Sequence, residues 1–154
     1  VYKRIGMIEL RRATREDIPQ IFELVKELAL FEKAPEEVTA TLKDYEENGF
    51  GENPLFGSYL AFFQGQLAGF ALWYYRFSTW KGKRFYLEDL YVKEKFRGLG
   101  IGKQLIEICF EVAKETKCTG MMWQVLDWNT PAIEFYKQYN ANFDGEWINV
   151  NVNL

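Results

Sequence analysis

The chain has 154 residues, 48% hydrophobic and 18% aromatic, with a formal net charge of −3 and no histidine. Such a length and composition fit one folded domain with a single core and exclude a disordered chain. The charge disfavours nucleic acid as a partner, the lack of histidine removes Ser-His-Asp and Cys-His catalysis and the usual zinc sets, and no apolar run reaches the length of a membrane span.

The N-terminus is charged early and has no secretory apolar stretch, so a cytoplasmic protein is expected. Val1 to Gly6 precede Met7 and are set aside as an extension, leaving residues 7–154 as a single domain. Met7 to Arg12 alternates as an edge strand. Thr14-Arg15-Glu16-Asp17 reads as a capping box with Asp in the place of Glu or Gln. Ile18, Ile21, Phe22, Val25, Leu28 and Ala29 then recur at helical spacing, with Pro19 in the first turn. Thr39 to Asn48 predicts a short second helix ended by Gly49. Leu55 to Phe63 and Gln66 to Tyr75 read as strands joined by a hairpin turn at Gln64-Gly65.

Arg84 to Val92 is a third long strand, apolar but for the pair Glu88-Asp89. Ile101 to Ala113 is helical, with Ile101, Leu105, Ile108, Cys109 and Val112 on one side. Cys109 and Cys118 form no C-x-x-C pair and read as buried or unreactive thiols. Gly120 to Leu126 is the next strand. Thr130-Pro131 opens a helix that runs to Tyr139, Asn140 holds the left-handed position after it, and Asn142 to Val152 closes as a strand. The order β-α-α-β-β-β-α-β-α-β implies an α/β fold, a mixed central sheet with helices on both faces.

Two features point to chemistry. Between Glu32 and Glu52 seven carboxylates face two lysines, a local net charge of −5. That suits a cationic small molecule or, more plainly, a solvated helix face. The second is Arg97-Gly98-Leu99-Gly100-Ile101-Gly102-Lys103, between a strand and a helix. A helix N-terminus offers unpaired N–H groups and partial positive charge, and glycines let the backbone close on an anion. It is not a Walker A loop, because Arg97 stands five before Gly102 and Gln104 follows Lys103. Nor is it the dinucleotide fingerprint, because Lys103 occupies the place of the third glycine. A tight strand-to-helix turn without a ligand is the alternative.

Arg97-x-x-Gly-x-Gly102 resembles the coenzyme A pyrophosphate loop of the GCN5-related N-acetyltransferases (GNAT). Tyr86 to Val92 precedes it at that family's spacing, and Asn129 to Tyr136 is similar to its N-x-x-A-x-x-F/L-Y helix. Lys26 to Glu32, Gly49 to Pro54 and Ser78 to Lys83 resemble the diamine acetyltransferase subgroup, that of spermidine/spermine N1-acetyltransferases. Ser78-Thr79 stands where the polyamine branch carries Asp-Pro, and with Leu126 to Asn129 this is more similar to the thialysine-acetylating branch. The resemblance covers Ile8 to Trp147. It implies the GNAT fold, acetyl-CoA as donor, a small amine as acceptor, no nucleic acid, membrane or metal, and a homodimer.

It also implies residue roles. Arg97, Gly98, Leu99, Gly100, Ile101, Gly102 and Lys103 would hold the pyrophosphate. The strand before the loop would splay from its successor, placing Leu90, Tyr91 and Val92 along the pantetheine arm. Asn129, Pro131 and Tyr136 would complete the cofactor site. Phe31, Glu32, Trp80 and Glu88 would take the amine, with Trp80 offering a cation–π face and Glu146 as a further carboxylate. A lysine-like amine, with a pKa near ~10.4, must lose a proton at a cost of about 4.6 kcal/mol at pH 7. Glu88, acting through water, would take it, and Tyr136 would protonate the leaving thiolate. Without the resemblance, Glu88 could pair with a surface lysine and Tyr136 could be a core aromatic. A protein or peptide N-acetyltransferase and a non-catalytic coenzyme A-binding protein are the alternative functions.

Overall fold

The structure is a computed structural model that describes residues 2–154. Six strands form one sheet in sequential order: β1 (Tyr2–Ile5), β2 (Ile8–Arg12), β3 (Phe56–Phe63), β4 (Gln66–Ser78), β5 (Gly82–Val92) and β6 (Gly120–Met122). All neighbours are antiparallel except β5 and β6. That parallel step requires a crossover, which helix α3 (Ile101–Glu115) supplies. Helices α1 (Ile18–Phe31) and α2 (Leu42–Phe50) precede β3, and α4 (Thr130–Lys137) follows β6. This is the expected mixed α/β sheet.

Alternation along the strands divides the core in two. Leu60, Phe70, Leu72 and Tyr91 meet Ile21 and Leu24 of α1, with Tyr45 and Phe50 of α2 beside them. The alternate residues, including Tyr59, Trp73 and Phe85, stack across the other face, on the side of α3. α3 buries Ile101, Leu105, Ile108, Cys109 and Val112, the stripe legible in the sequence. Cys109 is fully buried, and burial pushes its thiol pKa up, as expected of an unreactive cysteine.

Local chemistry explains the element ends. Asp17 accepts from the Thr14 N–H at 2.8 Å, closing the expected box on a 3-10 turn, Arg15–Asp17, that leads into α1. Thr41 caps α2 by accepting from the Asp44 N–H at 3.2 Å. Gln64 and Gly65 both have positive φ, +49° and +80°, making the tight hairpin between β3 and β4.

Four expectations are corrected. β1 pairs along β2, so Ile8–Arg12 is an interior strand rather than an edge. Gly49 does not stop α2; it lies inside the helix, where the Phe56 ring fills the space a Cβ would need. β6 ends at Met122, where its ladder with β5 ends. Residues 142–152 form no strand, although Ile148, Val150 and Val152 alternate with asparagines. Among the described residues no ladder partners them, and an unpaired extended segment leaves its backbone to water. The observed order is therefore β-β-α-α-β-β-β-α-β-α. The chain forms two compact units, one ending at Gln124 and the other spanning Val125–Leu154, and each is treated by itself.

Candidate functional site

Strand β5 is irregular where the chemistry was expected. Leu72 stands opposite Asp89 but Trp73 stands opposite Leu87, so Glu88 is the extra residue of a β-bulge. A regular strand would send Glu88 and Asp89 to opposite faces, whereas a bulge re-aims the side chains. Asp89, in register with Leu72, turns to the face of α1 and α2. On the other edge, β6 pairs only with Arg84, Phe85 and Tyr86. From Leu87 to Val92 that edge has no ladder partner in β6. Leu90, Tyr91 and Val92 lie on this stretch, still held by Ala71, Phe70 and Gly69 of β4.

The strand runs through a short 3-10 turn, Glu94–Phe96, into the glycine loop. Gly98 (φ +80°) and Gly100 (φ +85°) take left-handed conformations, which is why glycine stands at both. A Cβ at either would meet nothing within 4 Å, so the loop faces open space. Gly100 is the N-cap of α3 and contributes no side-chain cap. The first helical bond runs from the Gln104 N–H to the Gly100 carbonyl at 3.1 Å. The N–H groups of Ile101, Gly102 and Lys103 therefore lack helical partners. With no acidic residue in that first turn, this end suits an anion such as a pyrophosphate.

Arg97 is held from two sides. Its Nε donates to the Val92 carbonyl at 2.9 Å, and its guanidinium lies over the Phe31 and Tyr91 rings, 5.1 and 5.7 Å from their centres. Tyr91 also reaches Glu27 at 3.4 Å, and Glu27 pairs with Lys93 at 3.3 Å. The end of α1, the end of β5 and the glycine loop are thereby joined, with Leu99 exposed on the loop.

Carboxylates collect on the α1/α2 side of β5. Burial raises the pKa of Glu32, at the end of α1, and of Glu88. Asp89 is pushed up to about 7, first by burial, then by Glu88 and Glu32. Tyr45 of α2 rises to about 12 through burial, then through Asp89 and Glu88. Tyr74 and Tyr86 rise for the same reasons, burial first and Glu88 next. A shallow hollow lined by Asp44, Tyr45, Phe56 and Leu72 opens on this side. Asp89 was not singled out as a site residue from sequence; its adjacency to Glu88 was the available signal, and the bulge that gives it meaning is a register property.

Trp80 stands apart from this group. It lies in the turn between β4 and β5, 84% exposed, and six residues of strand, about 20 Å, separate that turn from Glu88. Among the described residues, no cluster of Asp, Glu and Cys is arranged to hold a metal ion, and no helix is long and apolar enough to cross a membrane.

The second unit carries the remaining candidates. Asn129 caps α4, its Oδ1 accepting from the Ala132 N–H at 3.3 Å and its carbonyl from the Ile133 N–H at 3.0 Å. Pro131 sits in the first turn, and Tyr136 meets Phe135 edge to face at 5.5 Å. Asn140 has φ +57°, the left-handed conformation expected there. Near Glu146, Asp144 organises the backbone by accepting from the Glu146 N–H and the Trp147 indole, both at 3.0 Å.

Comparison with known proteins gives the family and the fold. The Acetyltransferase (GNAT) family profile matches residues 18–140. Thialysine N-epsilon-acetyltransferase of Bos taurus is 37% identical over 145 residues, covering 89% of this chain and 85% of that protein. Spermidine/spermine N(1)-acetyltransferase-like protein 1 of Homo sapiens is 36% identical over 140 residues, covering 86% of this chain and 20% of that protein. Among solved structures, an aminoglycoside acetyltransferase from an uncultured soil metagenomic sample superposes with a TM-score of 0.79 over 97% of each chain, at 16% identity. That likeness speaks to the fold alone.

Proposed function

Since the chain belongs to the acetyltransferase (GNAT) family, we propose that it transfers the acetyl group of acetyl-CoA to a primary amine of a small cationic acceptor, a thialysine or lysine analogue, a diamine or a polyamine. The observation that carries the acceptor is the bulge at Glu88, which turns carboxylates toward Glu32 and α2 beside the loop that would hold the donor. Relatives named for thialysine and for spermidine/spermine support the same class.

Acetyl-CoA, when bound, supplies the activated thioester. The unpaired N–H groups of Ile101, Gly102 and Lys103 would take its pyrophosphate, with Gly98 and Gly100 keeping the approach open. The uncovered edge of Leu90, Tyr91 and Val92 would take the amide-bearing arm as an added strand. Asn129 and Pro131, at the start of α4, belong to the same reading.

On the acceptor side, Glu32, Glu88 and Asp89 would attract the ammonium, with Phe31 beside them. The amine attacks only when neutral, and a relay through Glu88 would carry its proton away. Tyr136 would protonate the leaving thiolate, since a phenol near pKa ~10 and a thiol near ~8.5 are close enough to exchange a proton once the site brings them together. Trp80, too far along β5 to reach this chain's own acidic face, fits a homodimer in which the hairpin turn meets the second copy. A cytoplasmic location belongs to this reading as well. The test is acetyl transfer to thialysine, lysine, ornithine, putrescine, spermidine and peptide N-termini, ranked by kcat/KM. Turnover of small diamines or lysine analogues is expected; turnover confined to peptides would replace this reading, and no turnover would end it.

A further inference from the structure

Two arginines stand opposite each other in the sheet without an acid to pair with. By register, Arg76 of β4 faces Arg84 of β5, and Tyr74 faces Tyr86. Side chains alternate along a strand, so all four share the face of Leu72, the side of α1 and α2. The Tyr74 and Tyr86 rings lie 4.9 Å apart. Arg84 lies across Gly120 of β6, its guanidinium filling the space a Cβ would need. Arg76 is exposed and leans the other way. Its guanidinium lies over the Tyr86 ring, 5.2 Å from the centre, one step along β5 toward Glu88. Its Nη1 donates to the Met122 thioether at 3.4 Å, a weak acceptor. Among the described residues no carboxylate pairs with either arginine. Like charges directly opposite in a ladder are destabilising, so the stability of the sheet does not account for the pair.

We propose that Arg76 is a specificity-determining residue that takes the carboxylate of a diamino-acid acceptor whose distal ammonium sits at Glu88, so that lysine, thialysine or ornithine is preferred to a plain diamine. This rests on the acetyltransferase reading above and narrows its acceptor class. The spacing fits. Tyr86, under the guanidinium, and Glu88 are two strand residues apart, about 7 Å. The amine-to-carboxyl span of an extended ornithine, lysine or thialysine is about 6–8 Å. Both charges act on the same two rings: burial raises the pKa of Tyr74 and Tyr86, Glu88 raises it further, and Arg76 opposes. The rings would flank the acceptor's methylene chain. A guanidinium offers parallel N–H donors that match a carboxylate. A diamine or polyamine instead brings a second cation to this place, where Arg76 repels it. Discrimination therefore comes from both an attraction and a repulsion.

The experiment compares kcat/KM for acceptors that differ only at the carboxylate: lysine against cadaverine, ornithine against putrescine, and lysine against lysinamide. Wild type, Arg76→Gln and Arg76→Lys are measured side by side. Wild type is expected to favour the carboxylate-bearing member of each pair about 10-fold or more. Arg76→Gln should lower the lysine-to-cadaverine ratio about 10–100-fold, the scale of a lost charge-assisted pair, with the change in KM rather than kcat. Arg76→Lys should return part of the ratio, because it keeps the charge and loses the flat fork. A ratio is read from one preparation, so loss of folded protein cannot imitate the effect. Equal turnover of lysine and cadaverine by wild type overturns the proposal, as does a ratio that Arg76→Gln leaves unmoved. Wild-type inactivity on every one of these amines overturns instead the reading on which the proposal rests.

Discussion

The guanidinium of Arg97 lies 5.1 Å from the centre of the Phe31 ring while its Nε donates to the carbonyl of Val92. One side chain thus joins the glycine loop to the residue next to Glu32. Stacked cations contribute about 0.5–2 kcal/mol, and a lysine cannot reproduce both the flat stack and the Nε bond. Arg97→Gln is expected to raise KM for the amine and for the donor several-fold. Arg97→Lys should restore the donor KM more than the amine KM. Initial rates with each substrate varied in turn check this, and an unmoved amine KM in both variants would contradict the link.

Gly100 carries φ +85° at the N-cap of α3. An L-residue there costs about 1–2 kcal/mol, and the loop relieves it by turning the Ile101, Gly102 and Lys103 N–H groups away from their common point. Gly100→Ala should weaken coenzyme A binding about 5–30-fold while leaving the thermal midpoint within a few degrees. Calorimetric titration of coenzyme A measures the first effect and a melting curve the second. Since no Cβ clash exists at this position, a collapse of the fold would mean that the loop has a structural duty beyond the anion.

The glycine loop was legible as sequence, because a loop motif is local and its backbone demands select glycine, whereas the stack of Arg97 on Phe31 joins residues far apart in the chain and was not. The bulge at Glu88 was not, since Tyr86 to Val92 reads as an unbroken strand and register is decided by β4. Gly49 was misread for a related reason. A glycine after a helical run signals termination, but here the decisive contact is with Phe56, seven residues on and in another element. The alternation from Ile148 to Val152 is a sound strand pattern that lacks a partner among the described residues, which shows that period alone does not make a ladder. The stretch 1–6, set aside from the domain, contributes β1 to the sheet.

Asp17 sets how the chain enters α1. Its carboxylate accepts from both nitrogens of the Arg11 fork, at 2.8 and 2.9 Å, and from the Thr14 N–H. The Arg11 hydrogen bonds hold its pKa below the ordinary value, with the Thr14 N–H adding to them against the cost of burial. A carboxylate depressed in the folded state contributes stability that is fully present above the unfolded pKa, ~3.9, and is lost as pH falls through the lower folded value. Asp17→Asn is expected to cost about 2 kcal/mol at pH 7, the scale of a charge-assisted bond with a cap. Urea unfolding at pH 7 and at successively lower pH should show the gap between wild type and variant closing below about pH 4.

Tyr136 is the sharpest test of the second unit. In α4 its backbone carbonyl accepts from the Tyr139 N–H, and its ring packs against Phe135. Tyr136→Phe keeps that ring contact and removes only the hydroxyl. If the hydroxyl serves packing, the variant loses some stability and nothing else. If it delivers the proton to the thiolate, kcat falls about 10²-fold or more while coenzyme A affinity and the amine KM stay within twofold. The two roles also part on leaving-group dependence. A donor whose thiol is more acidic needs less help in departing, so an acetyl thioester of an acidic aryl thiol should narrow the gap between wild type and Tyr136→Phe. A gap of the same size with both donors would assign the hydroxyl a positioning duty instead.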